Sequence, residues 1–313
     1  MRRHNYLSGI WPHRAGPVAC LDAYDQMTLR QDRLSMTTRT SPVLVIGASG
    51  KSGSRVADRL RARGVAVRAC SRTTTPSFSW QDGTTWPSVL EGVERGYVTF
   101  TPDLAMPGSA AIITRLAKLG RELGVRRLVL LSGRNEASAQ EAEAALLAVL
   151  PQSSIVRASW FFQNFTEGQF ARDVAQGEIA LPVGPVGEPF IDVDDIADVA
   201  VECLLDDKHA GQIYEVTGPE LLSFEDLAHI ASQIAPKPLV FRQISMETFK
   251  GYLEAGGVPD DLRSLLIFLF TEVLDGRSSS LTSGVDDVLG RSPRTFEDFV
   301  RRAVADGTWP ASA

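Results

Sequence analysis

The stretch Val43–Gly53 reads VLVIGASGKSG, and its parsing decides how the rest of the chain is read. Val43–Ile46 is an unbroken run of β-branched residues and Leu, as expected of a parallel strand covered on both faces. Three glycines follow at Gly47, Gly50 and Gly53. Lys51–Arg63 then carries Val56 and Leu60 four apart, with Arg55, Asp58, Arg59, Arg61 and Arg63 on the other faces. Strand, glycine turn and helix N-terminus in that order make a phosphate cradle. Glycine permits the sharp turn and the close approach of a pyrophosphate, and the unpaired N–H groups of the helix favour its charge. The spacing is GxxGxxG rather than GxGxxG. Gly50-Lys51-Ser52 also invites comparison with the nucleoside-triphosphate loop GxxxxGK[ST], but that loop needs a glycine where this chain has Val45.

Gly64 closes the helix and Val65–Cys70 supplies a second strand. Dinucleotide sites that prefer NAD place an acid at the end of this strand, about 20 residues past the glycines, to hold the ribose hydroxyls. Here the strand runs into Ser71-Arg72-Thr73, and no carboxylate appears before Asp82. Arg72 suits a 2′-phosphate, with Ser71 and Thr73 as further donors and Lys51 and Arg55 adding positive charge. The expected cofactor is therefore NADP(H) in preference to NAD(H).

Strands and helices alternate onward, the pattern of a parallel α/β sheet. Phe78-Ser79-Trp80 reads as a short third strand, Trp86–Glu94 as a helix and Tyr97–Phe100 as a fourth strand. The helix Ser109–Leu123, the strand Arg127–Leu131 ending in Ser132-Gly133, the helix Glu136–Leu150 and the strand Ser154–Ala158 complete the series. The fold class is α/β, a Rossmann-type doubly wound parallel sheet with a smaller C-terminal α+β substrate lobe. Residues 41–160 form the expected cofactor-binding core, and residues 161–313 form mainly the substrate lobe and a helical cap, with segments returning to the core.

Ligands of open parallel sheets bind beyond the carboxyl ends of the strands. Those ends are Gly47–Gly53, Ser71-Arg72, Thr101-Pro102, Ser132-Gly133 and the segment ASWFFQNF at Ala158–Phe165. Cofactor contacts are thus expected from Gly47, Ala48, Ser49, Gly50, Lys51, Ser52, Gly53, Ser71, Arg72, Thr101, Pro102 and Ser132. Trp160, Phe161, Phe162, Gln163 and Asn164 are candidates for a wall against a nicotinamide and a flat substrate, the two amides setting orientation. Ordinary core packing is the competing account of these aromatics, and the sequence leaves both open.

The chain has 313 residues, is 44% hydrophobic and 22% charged, and carries a net charge of −6 without a basic run in its body. That balance argues against nucleic acid as a direct ligand. Cys20, Cys70 and Cys203 lie far apart, as do the four histidines, so no metal site follows and a reducing cytoplasmic setting is expected. Residues 1–40 differ from the rest. They begin Arg-rich, have no acid before Asp22, and lack an apolar stretch long enough for a signal peptide or membrane span. A non-structural extension is expected there, with Met36 standing where cofactor-binding chains of this type commonly begin.

From about Val43 to Trp309 the chain resembles the NmrA-like, atypical short-chain dehydrogenase/reductase family, in the branch of NAD(P)H:quinone-type oxidoreductases and ergot-alkaloid reductases. The resemblance is carried by GASGKSG at Gly47–Gly53, SR at Ser71-Arg72 and EAEAAL at Glu141–Leu146. It continues through IVRASWFFQNF at Ile155–Phe165, IDVDDIADVA at Ile191–Ala200 and YEVTGPELLSFEDLA at Tyr214–Ala228. It implies an NADP(H)-holding Rossmann domain and a C-terminal lobe closing a substrate cleft. Asp192 would cap a helix, with Asp194 and Asp195 at its positive end. A metal-binding reading of Asp192, Asp194, Asp195 and Asp198 lacks any histidine or ordered loop to support it.

One departure limits the chemistry. Short-chain dehydrogenases of the usual kind rely on a Tyr-x-x-x-Lys pair for proton transfer. None of the five tyrosines here has Lys four residues later, and Arg134–Leu150 contains neither residue. Ser132 occupies the catalytic serine's place without that partner. Glu141 and Glu143 are read as a solvated helix face rather than proton donors, and no catalytic residue is assigned. The expected function is hydride transfer from NADPH to a small electrophilic acceptor, a quinone, an iminium or a similar compound. The alternative is a non-catalytic NADP(H) sensor acting on a regulatory protein. A homodimer is compatible with either. The apolar stretch Met246–Asp275 can pack the lobe, line the cleft or form an interface.

Overall fold

The computed structural model describes residues 41–168 and 170–310. The extension expected over residues 1–40 lies outside the described residues. Eight strands are described: β1 (Val43–Ile46), β2 (Val67–Cys70), β3 (Arg95–Val98), β4 (Arg127–Gly133), β5 (Ser154–Ala158), β6 (Glu178–Leu181), β7 (Ile213–Val216) and β8 (Val240–Gln243). Six of them form one parallel sheet in the order β2-β1-β3-β4-β5-β7. In β1 the side chains alternate between two cores. Leu44 and Ile46 join Val98, Leu128 and Leu130 on one face, while Val43 and Val45 join Tyr97, Val129 and Val156 on the other.

The first face is covered by α3 (Ser109–Glu122) and α4 (Ala137–Val149), which bring Ile113, Leu116 and Leu146 into the core. The short helix α2 (Trp86–Leu90) joins them. The second face is covered by α1 (Lys51–Ala62), which contributes Val56 and Leu60 at the spacing expected of an amphipathic helix. A later helix, α6 (Val193–Leu205), packs beside it, so chain from beyond residue 160 completes the sandwich together with β7 and α10 (Gly284–Leu289).

Phe78-Ser79-Trp80 is not a strand, and β2 is the sheet edge. The reason is local competition for the backbone. The Ser79 N–H donates to Thr85 Oγ1 at 3.1 Å and its carbonyl accepts the Trp86 indole N–H at 2.8 Å, so neither is left for a ladder. Phe78 and Trp80 instead turn inward, edge to face with centroids 4.8 Å apart, against Trp86.

A second core collects the remaining aromatics. Phe162, Phe165, Phe170, Phe190, Phe224 and Phe296 pack around a two-stranded parallel pair, β6 with β8, flanked by α5 (Ala171–Gln176), α7 (Phe224–Ile234) and α11 (Phe296–Ala305). Ser223 and Asp226 form a reciprocal capping box at the start of α7, satisfying two backbone donors that a helix end leaves open. Two further helices, α8 (Met246–Ala255) and α9 (Asp260–Phe268), follow β8.

Candidate functional site

The glycine turn has the geometry its spacing implies. Gly47 sits at φ +80°, and a Cβ there would overlap the Thr99 methyl group. At Gly53 a Cβ would overlap the Gly47 carbonyl, so the first turn of α1 rests directly on the loop. The N–H groups of Gly47 and Ala48 donate to the Cys70 carbonyl at 2.9 and 3.1 Å, which ties the turn to the end of β2. Gly50 caps α1 with no side-chain hydrogen bond, and the first turn carries no acid. The helix therefore presents open donors and an uncancelled positive end, with Ser49 and Gly50 exposed in front of it. A pyrophosphate fits this cradle.

Beyond β2, Arg72 is exposed and makes no hydrogen bond or ion pair among the described residues. Ser71 is committed to its own turn: its Oγ lies 3.2 Å from Thr73 Oγ1 and accepts the Thr73 N–H at 3.3 Å. Arg55, read as added charge for a cofactor, is spent elsewhere. It bridges to Glu167 at 2.5 Å and to Asp194 at 3.4 Å, joining α1 to the second lobe.

A cavity of about 330 Å³ opens at the carboxyl ends of the central strands, starting at Lys51. Thr99 and Phe100 line it from just beyond β3, Leu131 and Ser132 from β4, and Trp160, Phe161 and Asn164 from the segment after β5. Lys51 Nζ donates to Asn164 Oδ1 at 2.8 Å, so the glycine turn and the aromatic segment are joined by one bond. Burial holds the Lys51 ammonium below its usual pKa, opposed by Glu167 and reinforced by Arg55. Leu262, Leu265, Leu266 and Leu269 also line it, from α9 and the turn after it, so of the three roles open to Met246–Asp275 this part lines the cleft.

The aromatic segment divides residue by residue. Phe161 forms an isolated parallel bridge with Ile191, and the chain then turns through a single 3-10 helical turn at Phe162–Asn164. Trp160 and Phe161 reach the cavity. Phe162 turns away and packs on Phe296 and Phe299, with centroids 5.1 and 5.6 Å distant. Gln163 is buried and structural: its amide donates to Asp192 Oδ1 at 2.7 Å and accepts the Val193 N–H at 2.9 Å. Thr101 is exposed and off the cavity wall, whereas Pro102 is on it. Asp192 caps α6 as expected, and the acids of that helix start are engaged by arginines. Arg59 reaches Asp194 at 2.7 Å and Asp198 at 2.5 Å, Arg291 reaches Asp195 at 2.7 Å, and Arg302 pairs with Asp192.

Sequence reasoning missed the carboxylates of the cavity. Ser132 Oγ donates to Glu143 Oε1 at 2.6 Å, and Glu143 receives Arg157 through both Nε, at 3.0 Å to each oxygen, and a terminal nitrogen at 2.6 Å. Glu143 is therefore a buried, paired group and not a solvated helix face. Asp103 and Glu136 line the cavity itself. Glu136 is 7% exposed at the start of α4, and its carboxylate lies so close over Gly133 that no Cβ would fit there. Burial, then Asp103, then Glu143 push its pKa up to about 8. Burial also raises Asp103, against a hydrogen bond from the Ala105 N–H at 2.8 Å. The available signal was GRNE at Gly133–Glu136, a strand end followed within three residues by an acid.

No family model matches the chain. It is 27% identical over 292 residues to prestalk A differentiation protein A of Dictyostelium discoideum, covering 87% of this chain and 95% of that protein. To the agroclavine dehydrogenase of Claviceps fusiformis it is 29% identical over 278 residues, covering 82% and 96%. To the NAD(P)H azoreductase of Xenophilus azovorans it is 26% identical over 292 residues, covering 84% and 98%. Among solved structures, the NADPH-dependent quinone oxidoreductase QOR2 of Escherichia coli with NADPH superposes at a TM-score of 0.67 and 18% identity, covering 83% and 99%. The Citrobacter sp. triphenylmethane reductase with NADP(H) superposes at 0.66 and 17%, covering 84% and 99%. These two likenesses establish the fold.

Proposed function

We propose that this chain, an oxidoreductase of the NmrA-like branch of the atypical short-chain dehydrogenase/reductases, binds NADPH along Gly47–Gly53 and reduces a flat electrophilic organic acceptor in the adjoining cavity. The observation that carries the reading is continuity. Lys51, in the first turn of the phosphate-binding helix, and Trp160 and Phe161, an aromatic wall, border the same space.

In this reading the open N–H groups of α1 take the pyrophosphate, and Arg72 takes the 2′-phosphate. NADPH supplies the hydride. The chain's own part is positioning: Trp160 and Phe161 present flat apolar surface, and the leucines of α9 exclude water. With no Tyr–Lys pair, the fitting substrates are those already activated toward hydride, such as quinones, iminium ions and azo compounds. One of the named relatives is an NAD(P)H azoreductase, which supports the azo class.

The test follows NADPH absorbance with a panel of quinones, cyclic iminium ions and azo dyes. Turnover of at least one class, with NADPH favoured over NADH, is the expected result. Tight NADPH binding without turnover of any acceptor overturns the reading.

A further inference from the structure

We propose that Glu136, held over Gly133 and facing the cavity it shares with Asp103, is the general acid that protonates the acceptor during reduction. The inference rests on the reductase reading above.

The argument begins from which cavity groups are free to give a proton. Ser132 has its hydroxyl proton on Glu143, and both Glu143 oxygens are engaged by Arg157. Lys51 is bound to Asn164 at the cofactor end. Glu136 alone of the cavity's acids and bases makes no side-chain hydrogen bond or ion pair among the described residues, although it is more than nine-tenths buried. A buried carboxyl with no partner does not stay charged; it keeps its proton. The groups that face it agree. Asp103 from the loop after β3 and Glu143 from α4 are both acidic, while Arg157 on β5 is spent on Glu143 and Glu215 and Lys51 on Asn164. The acid is thus loaded at neutral pH, and its pKa of about 8 is close to the ideal for proton donation there.

The step balances for a quinone or azo acceptor. The acceptor takes a hydride from NADPH at one end of its conjugated system. The displaced π pair moves to the oxygen or nitrogen at the other end. That atom forms a bond to the Glu136 proton as the carboxyl O–H breaks, leaving a carboxylate that solvent reprotonates. NADPH is oxidised to NADP⁺ and the acceptor gains two electrons. An iminium acceptor needs no proton, since hydride addition alone yields the neutral amine. The proposal therefore distinguishes substrate classes.

The test compares wild type with Glu136→Gln and Asp103→Asn in three measurements. Infrared difference spectra of the cofactor-free protein should show a protonated carboxyl band that disappears with a midpoint near pH 8 and is absent from E136Q. D103N should move that midpoint lower by removing a like charge. With a neutral quinone, E136Q should lose about 10²–10⁴-fold in kcat, together with the alkaline limb of the pH profile, while NADPH affinity measured by fluorescence is kept. With a cyclic iminium ion, E136Q should keep kcat within a few-fold. An unchanged quinone kcat and pH profile in E136Q overturns the proposal, as does a loss confined to affinity for cationic acceptors. NADPH binding and circular dichroism show whether the variant has folded; if E136Q has not, the infrared band in D103N and wild type still decides whether the acid is loaded. A wild type inert toward every acceptor overturns the reductase reading and this proposal with it.

Discussion

Single side chains at the glycine turn and at the end of β2 set what this site can hold. Gly47→Ala must place a Cβ at φ +80° and against Thr99, a combination of backbone strain and overlap that should cost about 2 kcal/mol or more. NADPH titration of G47A is expected to show at least tenfold weaker binding, alongside a lower urea midpoint. Arg72→Asp should instead leave stability unchanged, since Arg72 is exposed and has no hydrogen bond or ion pair among the described residues, while shifting preference from NADPH to NADH. Unaltered selectivity in that variant would remove Arg72 from the cofactor site. Gly47 was legible as a required glycine because turn geometry is local. Phe161 and Phe162 were not separable, because which of two adjacent aromatics faces the cavity depends on the bridge to Ile191, thirty residues away in sequence.

Among the elements, α6 is the clearest case of a sequence segment with a structural task. Its start, Asp192–Asp195, is capped by its own aspartate, held by the buried Gln163 amide and met by arginines from α1, from the segment after α10 and from α11. Gln163→Leu should strand the Val193 N–H and remove one of the partners of Asp192, costing about 1–3 kcal/mol in urea unfolding with little change in NADPH affinity. A large change in cofactor or acceptor KM without destabilisation would return Gln163 to the substrate site. The helix α9 is the opposite case. Leu265→Ala should raise the acceptor KM severalfold and leave the NADPH Kd alone, because the leucines of α9 line the cavity and lie far in the chain from the glycine turn.

For the molecule as a whole, the buried acids of the cavity make stability depend on pH. The folded-state pKa of Glu136 is raised to about 8, above its unfolded value, so between roughly pH 4.3 and 8 the native state binds more protons than the unfolded state. The contribution is fully present below the unfolded pKa, declines as pH rises through that window, and is lost above the folded pKa. Asp103, also raised by burial, works in the same direction. Thermal melts of wild type should therefore fall in Tm on going from pH 6 to 9. E136Q should show a smaller fall, so that its Tm exceeds that of wild type by a few degrees at the alkaline end. Equal slopes for the two proteins would mean that Glu136 ionises as freely when folded as when unfolded.

What the sequence determined by itself was everything carried by short-range pattern. The apolar run of β1, the three glycines, and the alternation of strands and helices together specify the doubly wound sheet and the glycine turn that follows β1. The tertiary structure decided the rest. It removed Phe78–Trp80 from the sheet, because Thr85 and Trp86 take the backbone groups of Ser79. It sent Phe162 and Gln163 into the structure and drew Leu262–Leu269 over the cleft. It also turned Glu136, which in sequence is only an acid beginning a helix, into a buried carboxyl that lines one cavity with Asp103 and has no side-chain partner among the described residues. The physical reason is the range of the forces involved. Backbone turns and helix ends are settled by neighbours a few residues away, whereas the protonation and exposure of a side chain depend on groups that only folding brings beside it.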